Sequence, residues 1–309
     1  MLEKIGMSRR RTEGAGADRP QGRRPAELQI FSNRALYHPF AAWLALRLAS
    51  TPATPNMVSV AGGLCVVGAA VAYTQVAWPV SVMLGLLFHM SWHILDGADG
   101  DLARLTGQSG PVGELVDGIC DYASHLVLYV LLALFLQAQI GPVAWFLMVL
   151  SGISHIAQSN HFEVQRRQYQ WWVYGVPWLR STSADDLADS GIFAALRSAY
   201  LGLASRMAPG VAAIDSALAD AGLDPERLDR SRASVRGQLA PLLSGMTMLS
   251  ANHRTIILAL SMAAGSPAYY FLYQAVVLNL VLVRSIRRFD RAKDRIDDEL
   301  SHADPNTRR

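Results

Sequence analysis

Apolar positions along the chain gather into runs at 57–76, 80–105, 112–137, 143–164, 242–265 and 268–284. Each is close to the ~20 residues a helix needs to cross a bilayer, so six spans are expected. Ahead of the first run, Leu36, Phe40, Trp43, Leu44 and Leu46 alternate with Arg34 and Arg47, a pattern that predicts an amphipathic surface helix over 33–53. Thr54-Pro55-Asn56 breaks that helix before the first span. The expected fold is all-α: a polytopic membrane protein with six transmembrane helices and an N-terminal amphipathic interfacial helix.

Residues 1–32 are rich in Arg, Gly and Pro and lack the apolar core of a secretory signal, which predicts a disordered cytosolic tail. Residues 54–165 hold spans one to four, and 241–285 hold spans five and six. Between them, 166–240 is expected to form a small cytosolic helical insertion, with a helix at 193–207 and a charged segment at 225–236; a solvated, partly interfacial linker is the alternative. Residues 286–309 form a C-terminal cytosolic tail that starts as a basic helix. The links at 74–79, 137–142 and 264–267 carry no Lys or Arg, whereas both tails and the insertion are rich in Arg. The positive-inside rule therefore places both termini in the cytosol, in a bacterial-type inner membrane.

Composition agrees with this reading: 51% of residues are apolar and only 17% charged, against a usual quarter or so. A net charge of +3 without a basic stripe gives no reason to expect a nucleic-acid partner. Cys65 and Cys120 sit in apolar runs and share no metal-ligand spacing.

The charges that do occur are concentrated. Between Pro55 and Asn160 they are Asp96, Asp99, Asp101, Arg104, Glu114, Asp117 and Asp121. At about 100° per residue, Asp96, Asp99, Gly100 and Ala103 share one helix face, and Asp117 and Asp121 share another. Gly107 and Gly110-Pro111 suit a turn that returns the chain antiparallel, so four carboxylates converge between adjacent spans. One Arg cannot neutralise them. Hard oxygen donors without Cys or His point to Mg²⁺ or Mn²⁺, plausibly two ions, and such a pair suits the grip of a diphosphate in phosphoryl transfer. Gly100, Ala103 and Gly113 would leave room for a nucleotide, and Arg104 is placed to hold a phosphate.

The run Asp96-x2-Asp99-Gly100-x2-Ala103-Arg104-x8-Gly113-x3-Asp117-x3-Asp121 resembles the complete signature of the CDP-alcohol phosphotransferase family. The resemblance covers roughly 33–168 and includes Thr54-Pro55-Asn56, which places Asn56 near the nucleotide. It implies a CDP-alcohol donor, an alcohol acceptor, release of CMP, two divalent ions and a homodimer. It further implies Asp96, Asp99 and Asp117 as metal ligands, with Asp121 as general base and additional metal neighbour. Spans five and six match only in general character. The form of the motif is similar to members that handle inositol phosphates, and two arrangements stay open: CDP-diacylglycerol as donor to a soluble polyol, or a soluble CDP-polyol as donor. Phospholipid synthesis is the expected setting.

Other polar residues have two readings each. Asp101 lies about 140° from Asp96 and reads as a surface or interhelical charge, and Glu114 as a carboxylate at a helix start. His93 and His125, one turn from Asp96 and Asp121, read as packing residues or as acceptor contacts. Arg166, with Arg167, is a positive-inside anchor or a phosphate clamp, and Arg254 is a snorkelling side chain or an acceptor-phosphate contact. Trp171 and Trp172 read as interfacial aromatics. Two rivals share intramembrane carboxylates: an aspartate-rich prenyltransferase, whose two boxes normally lie farther apart, and a cation- or proton-coupled transporter.

Overall fold

The computed structural model describes residues 26–28, 33–176 and 211–302. The helix expected at 193–207 lies outside them, as does most of the N-terminal tail. Every regular element among the described residues is helical.

Helix α1 (His38–Leu48) follows a wide helical turn at Asn33–Tyr37 and has Pro39 in its first turn. Its small residues Ala41 and Ala45 are buried, whereas Phe40, Trp43 and Leu46 stand 51%, 57% and 64% exposed. The helix thus presents large apolar side chains outward, as expected of a surface helix, although it is shorter than 33–53. Helix α2 (Pro55–Gln75) starts at Thr54, whose Oγ1 accepts from the Met57 N–H at 3.3 Å. Helices α3 (Val80–Leu105) and α4 (Pro111–Ile140) form the expected antiparallel pair, joined by a turn in which Gly107 takes φ 68°. Helix α5 (Val143–Tyr174) ends at Gly175, in the left-handed conformation at φ 64°.

Helix α2 lies against both α3 and α4, and its glycines set the spacing. A Cβ on Gly63 would lie 3.4 Å from the Cys120 carbonyl of α4, and one on Gly62 would lie 3.4 Å from the Trp92 ring of α3. Across the α2–α3 contact, the buried Tyr73 ring rests directly on Gly85. Close backbone approach through small residues is how helices pack where lipid supplies no hydrophobic drive.

The fifth predicted span, 242–265, is not one helix. Helix α6 (Val211–Ala221) and helix α7 (Pro225–Gly245) precede it; α7 is capped by Asp224 and gives way to a tight turn at Thr247–Leu249. After an extended Ser250, helix α8 (Ala251–Ala263) runs 13 residues. At 1.5 Å per residue that is ~20 Å, short of the ~30 Å hydrocarbon core. Helix α9 (Ala268–His302) follows, with a wide-turn stretch at Tyr273–Leu278. There the Gln274 carbonyl accepts from Gln158 Nε2 of α5 at 2.9 Å, a bond that accompanies the widened turn. Among the described residues, three segments are long and apolar enough to cross a membrane: Pro55–Gln75, Val116–Ile140 and Ala268–His302.

Two larger cores result. One joins α2, α3, α4, α8 and the start of α9 around Tyr73, Trp92, Leu128, Tyr129, Leu258 and Phe271. The other joins the far end of α5 to α6, α7 and the distal half of α9 around Tyr169, Trp172, Ile214, Leu239, Phe289 and Ile296. Trp172 is 1% exposed and donates to Asp215 Oδ1 at 2.7 Å, so it is a core residue of this second bundle and not an interfacial aromatic. Its indole has found both apolar cover and a polar partner within the protein. The end of the N-terminal tail is docked here as well: Glu27, in the short turn Ala26–Leu28, accepts from the Tyr169 hydroxyl at 3.1 Å and from the Tyr174 hydroxyl.

Candidate active site

The turn between α3 and α4 brings the two aspartate pairs together. Carboxylate oxygens of Asp96, Asp117 and Asp121 all lie within 4.8 Å of one another, and among the described residues this is the group able to hold a metal ion. Asp96 is exposed, while Asp117 and Asp121 are half-buried. The donor set fits a hard divalent cation. Around an octahedral Mg²⁺, with Mg–O distances of about 2.0–2.1 Å, ligand oxygens stand ~2.9 Å apart when cis and ~4.2 Å when trans, so the three carboxylates would draw closer around a bound ion.

Asp99 is the most enclosed of the four, 6% exposed, with the Asp96 and Asp117 carboxylates as electrostatic neighbours. Its Oδ2 accepts from Ser59 Oγ of α2 at 2.6 Å. Asp121 is held at two points: Trp92 Nε1 donates to its Oδ1 at 2.8 Å, and His125 Nδ1 donates to its backbone carbonyl at 2.8 Å. Neither Ser59 nor Trp92 was singled out in the sequence. The available signal for Ser59 was weak, a polar residue one turn beyond Asn56 in an otherwise apolar span.

Two pairs of the residues read as nucleotide contacts lie close to each other. A Cβ on Gly113 would lie 3.9 Å from Asn56 Oδ1, which puts the start of α2 against the start of α4. A Cβ on Gly100 would lie 3.5 Å from the Arg104 guanidinium, so Arg104 folds back over the bare backbone there. Arg104 is paired with Asp101, and its side chain is 54% exposed. Asp101 is therefore an ion-pair partner on α3 itself. Ala103 is half-buried on the same helix face, and the side chain of Glu114 lies outside the described residues.

The four residues read as acceptor contacts divide. His93 is buried, bonded through Nε2 to Thr255 Oγ1 at 2.9 Å, with the rings of Tyr37 and Trp92 at 4.7 and 4.5 Å. His125 packs against Trp92, His89 and His155 at 4.7, 5.8 and 6.3 Å. Arg254 is 3% exposed and donates to the Leu249 carbonyl at 2.7 Å, to Gln158 Oε1 at 3.1 Å and to Ser159 Oγ at 3.2 Å. It ties the turn ahead of α8 to α5 and does not snorkel. Arg166 makes a two-pronged contact with Glu163 at 2.9 and 2.7 Å, and Arg167 joins it at 2.5 Å. Arg166 also lines a cavity of about 640 Å³ with Tyr37, Met90, Phe162, Asn252 and Ile256.

Together these features define an α-helical membrane protein whose carboxylates converge at the end of two antiparallel helices. The family model described as CDP-alcohol phosphatidyltransferase matches residues 52–176, a stretch that spans α2 to α5 and includes all four aspartates. Helices α6 to α9 lie beyond the match. A comparison with curated proteins finds no match. The family is one of transferases acting on a CDP-alcohol donor and an alcohol acceptor.

Proposed function

We propose that the protein is an integral membrane CDP-alcohol phosphotransferase, with Asp96, Asp99, Asp117 and Asp121 as the residues that hold two Mg²⁺ or Mn²⁺ ions. The observation that carries this is the convergence of carboxylate oxygens within 4.8 Å inside the matched domain. Bound there, divalent ions would offset the charge of the donor diphosphate and of the departing CMP. Asp121 takes the proton of the acceptor hydroxyl as its oxygen forms the new bond to the phosphorus bearing the donor alcohol. The bond from that phosphorus to CMP breaks, and its electron pair leaves on the CMP phosphate. Asn56, Gly100, Ala103, Arg104 and Gly113 shape the nucleotide side; half-exposed Arg104 has donors beyond those engaged by Asp101.

The active site and both termini lie on the cytosolic side of an inner membrane, a homodimer is the working unit, and the setting is phospholipid synthesis. CDP-diacylglycerol and a soluble CDP-polyol are the two donor classes. Purified protein offered each donor in turn with an alcohol acceptor should release CMP only with its true donor and Mg²⁺ or Mn²⁺, and Asp121→Asn should abolish release while retaining much of the metal binding. Absence of CMP from every donor, with divalent-coupled ion flux into vesicles instead, would replace this reading by a transporter.

A further inference from the structure

The base proposed above is a carboxylate at the junction of three helices, and what aims it comes from outside the signature. Trp92, one turn before Asp96 on α3, is 6% exposed and directs its indole N–H at Asp121 Oδ1 from 2.8 Å. The ring has little freedom to turn away. His93 and His125 lie 4.5 and 4.7 Å from it, His89 lies at 5.7 Å, and Gly62 of α2 closes over its edge, with space for a Cβ only at 3.4 Å. The same array fixes the other end of Asp121. A carbonyl only accepts, so the bond at 2.8 Å requires the proton of His125 on Nδ1.

We infer that Trp92 is a positioning residue for Asp121: its indole N–H pins one carboxylate oxygen, so that the other is presented to the acceptor hydroxyl and the metal side. An indole donates one hydrogen bond, accepts none and carries no charge, so it constrains the carboxylate without neutralising it. A Lys or Arg in its place would pair with the base; a hydroxyl could rotate. Because a near-attack geometry is sensitive to displacements of about 1 Å, the loss of this bond should appear in turnover more than in substrate binding.

The inference rests on the proposed role of Asp121, and the test separates the two. CMP release is measured for the full-length wild-type protein, for Trp92→Phe, and for a protein carrying benzothienylalanine at position 92, which keeps the bicyclic shape and lacks the N–H. The expected result is a kcat at least tenfold lower in both variants, KM for donor and acceptor within about threefold, and an unchanged thermal midpoint for the benzothienyl protein. A benzothienyl protein with kcat within twofold of wild type overturns the inference, even if Trp92→Phe is inactive, because packing alone then explains the residue. A loss confined to KM, or one tracking a lowered midpoint, overturns it as well. An active Asp121→Asn protein would instead remove the base itself.

Discussion

At the scale of single residues the site depends on donors that hold carboxylates in place. Ser59 is the simplest case, because its hydroxyl, on the neighbouring helix α2, donates to Asp99 at 2.6 Å. Removing one partner leaves a buried polar group unsatisfied, which costs about 1–3 kcal/mol and more for a charged one. Ser59→Ala should therefore raise the Mg²⁺ concentration for half-maximal CMP release about fivefold or more, with Ser59→Thr close to wild type. An unchanged metal dependence in Ser59→Ala would show the bond to be dispensable. The aspartates were legible in the sequence because their spacing of three and four is a local property of one helix. Ser59 and Trp92 were not, since which residue of α2 or α3 faces which aspartate depends on how the helices are rotated against each other.

At the scale of elements the contact between α2 and α3 shows how tightly the membrane core is specified. A Cβ on Gly85 would lie 2.4 Å from the Tyr73 ring, far inside van der Waals contact. Forcing a methyl into such a site costs typically 1–3 kcal/mol, because a buried ring must leave its rotamer or the helices must separate. Gly85→Ala should lower the thermal midpoint by several degrees, and the same change in a Tyr73→Leu background should cost less. Equal penalties in the two backgrounds would place the strain elsewhere. The division of predicted span five into the end of α7, a turn and α8 belongs to this scale as well. Hydrophobicity over 242–265 is continuous enough to read as one helix, while the break is stabilised by Arg254 from α8 donating to the Leu249 carbonyl.

At the scale of the whole molecule α6, α7 and the distal half of α9 build a second helical core on the end of α5, and the N-terminal segment is fastened to it through Glu27. Burial alone would raise the Glu27 pKa. Hydrogen bonds from Tyr174, its own backbone N–H and Tyr169, with the charge of Arg236, outweigh burial and hold it below the usual glutamate value. A carboxyl with a lowered folded-state pKa adds stability above its unfolded value of about 4.3 and loses it as pH falls through the lowered one. The difference in thermal midpoint between wild type and Glu27→Gln should thus be full at neutral pH and shrink below about pH 4.3. A difference that stays constant into acid would mean that packing, and not the charge, holds the segment.

The sequence by itself determined that the chain is helical and membrane-embedded, that Asp96, Asp99, Asp117 and Asp121 lie on two faces joined by a glycine-bearing turn, and that this order matches a transferase signature. These follow from hydropathy and a 3.6-residue period, which each segment carries locally. Only the tertiary structure decided that Ser59 and Trp92 hold two of those carboxylates, that Arg254 and His93 spend their hydrogen bonds on the protein, and that Trp172 is a core residue. Those outcomes join positions 29 to 162 residues apart, such as Trp92 to Asp121 and His93 to Thr255. They are set by helix rotation and close approach at glycine, which no single segment encodes.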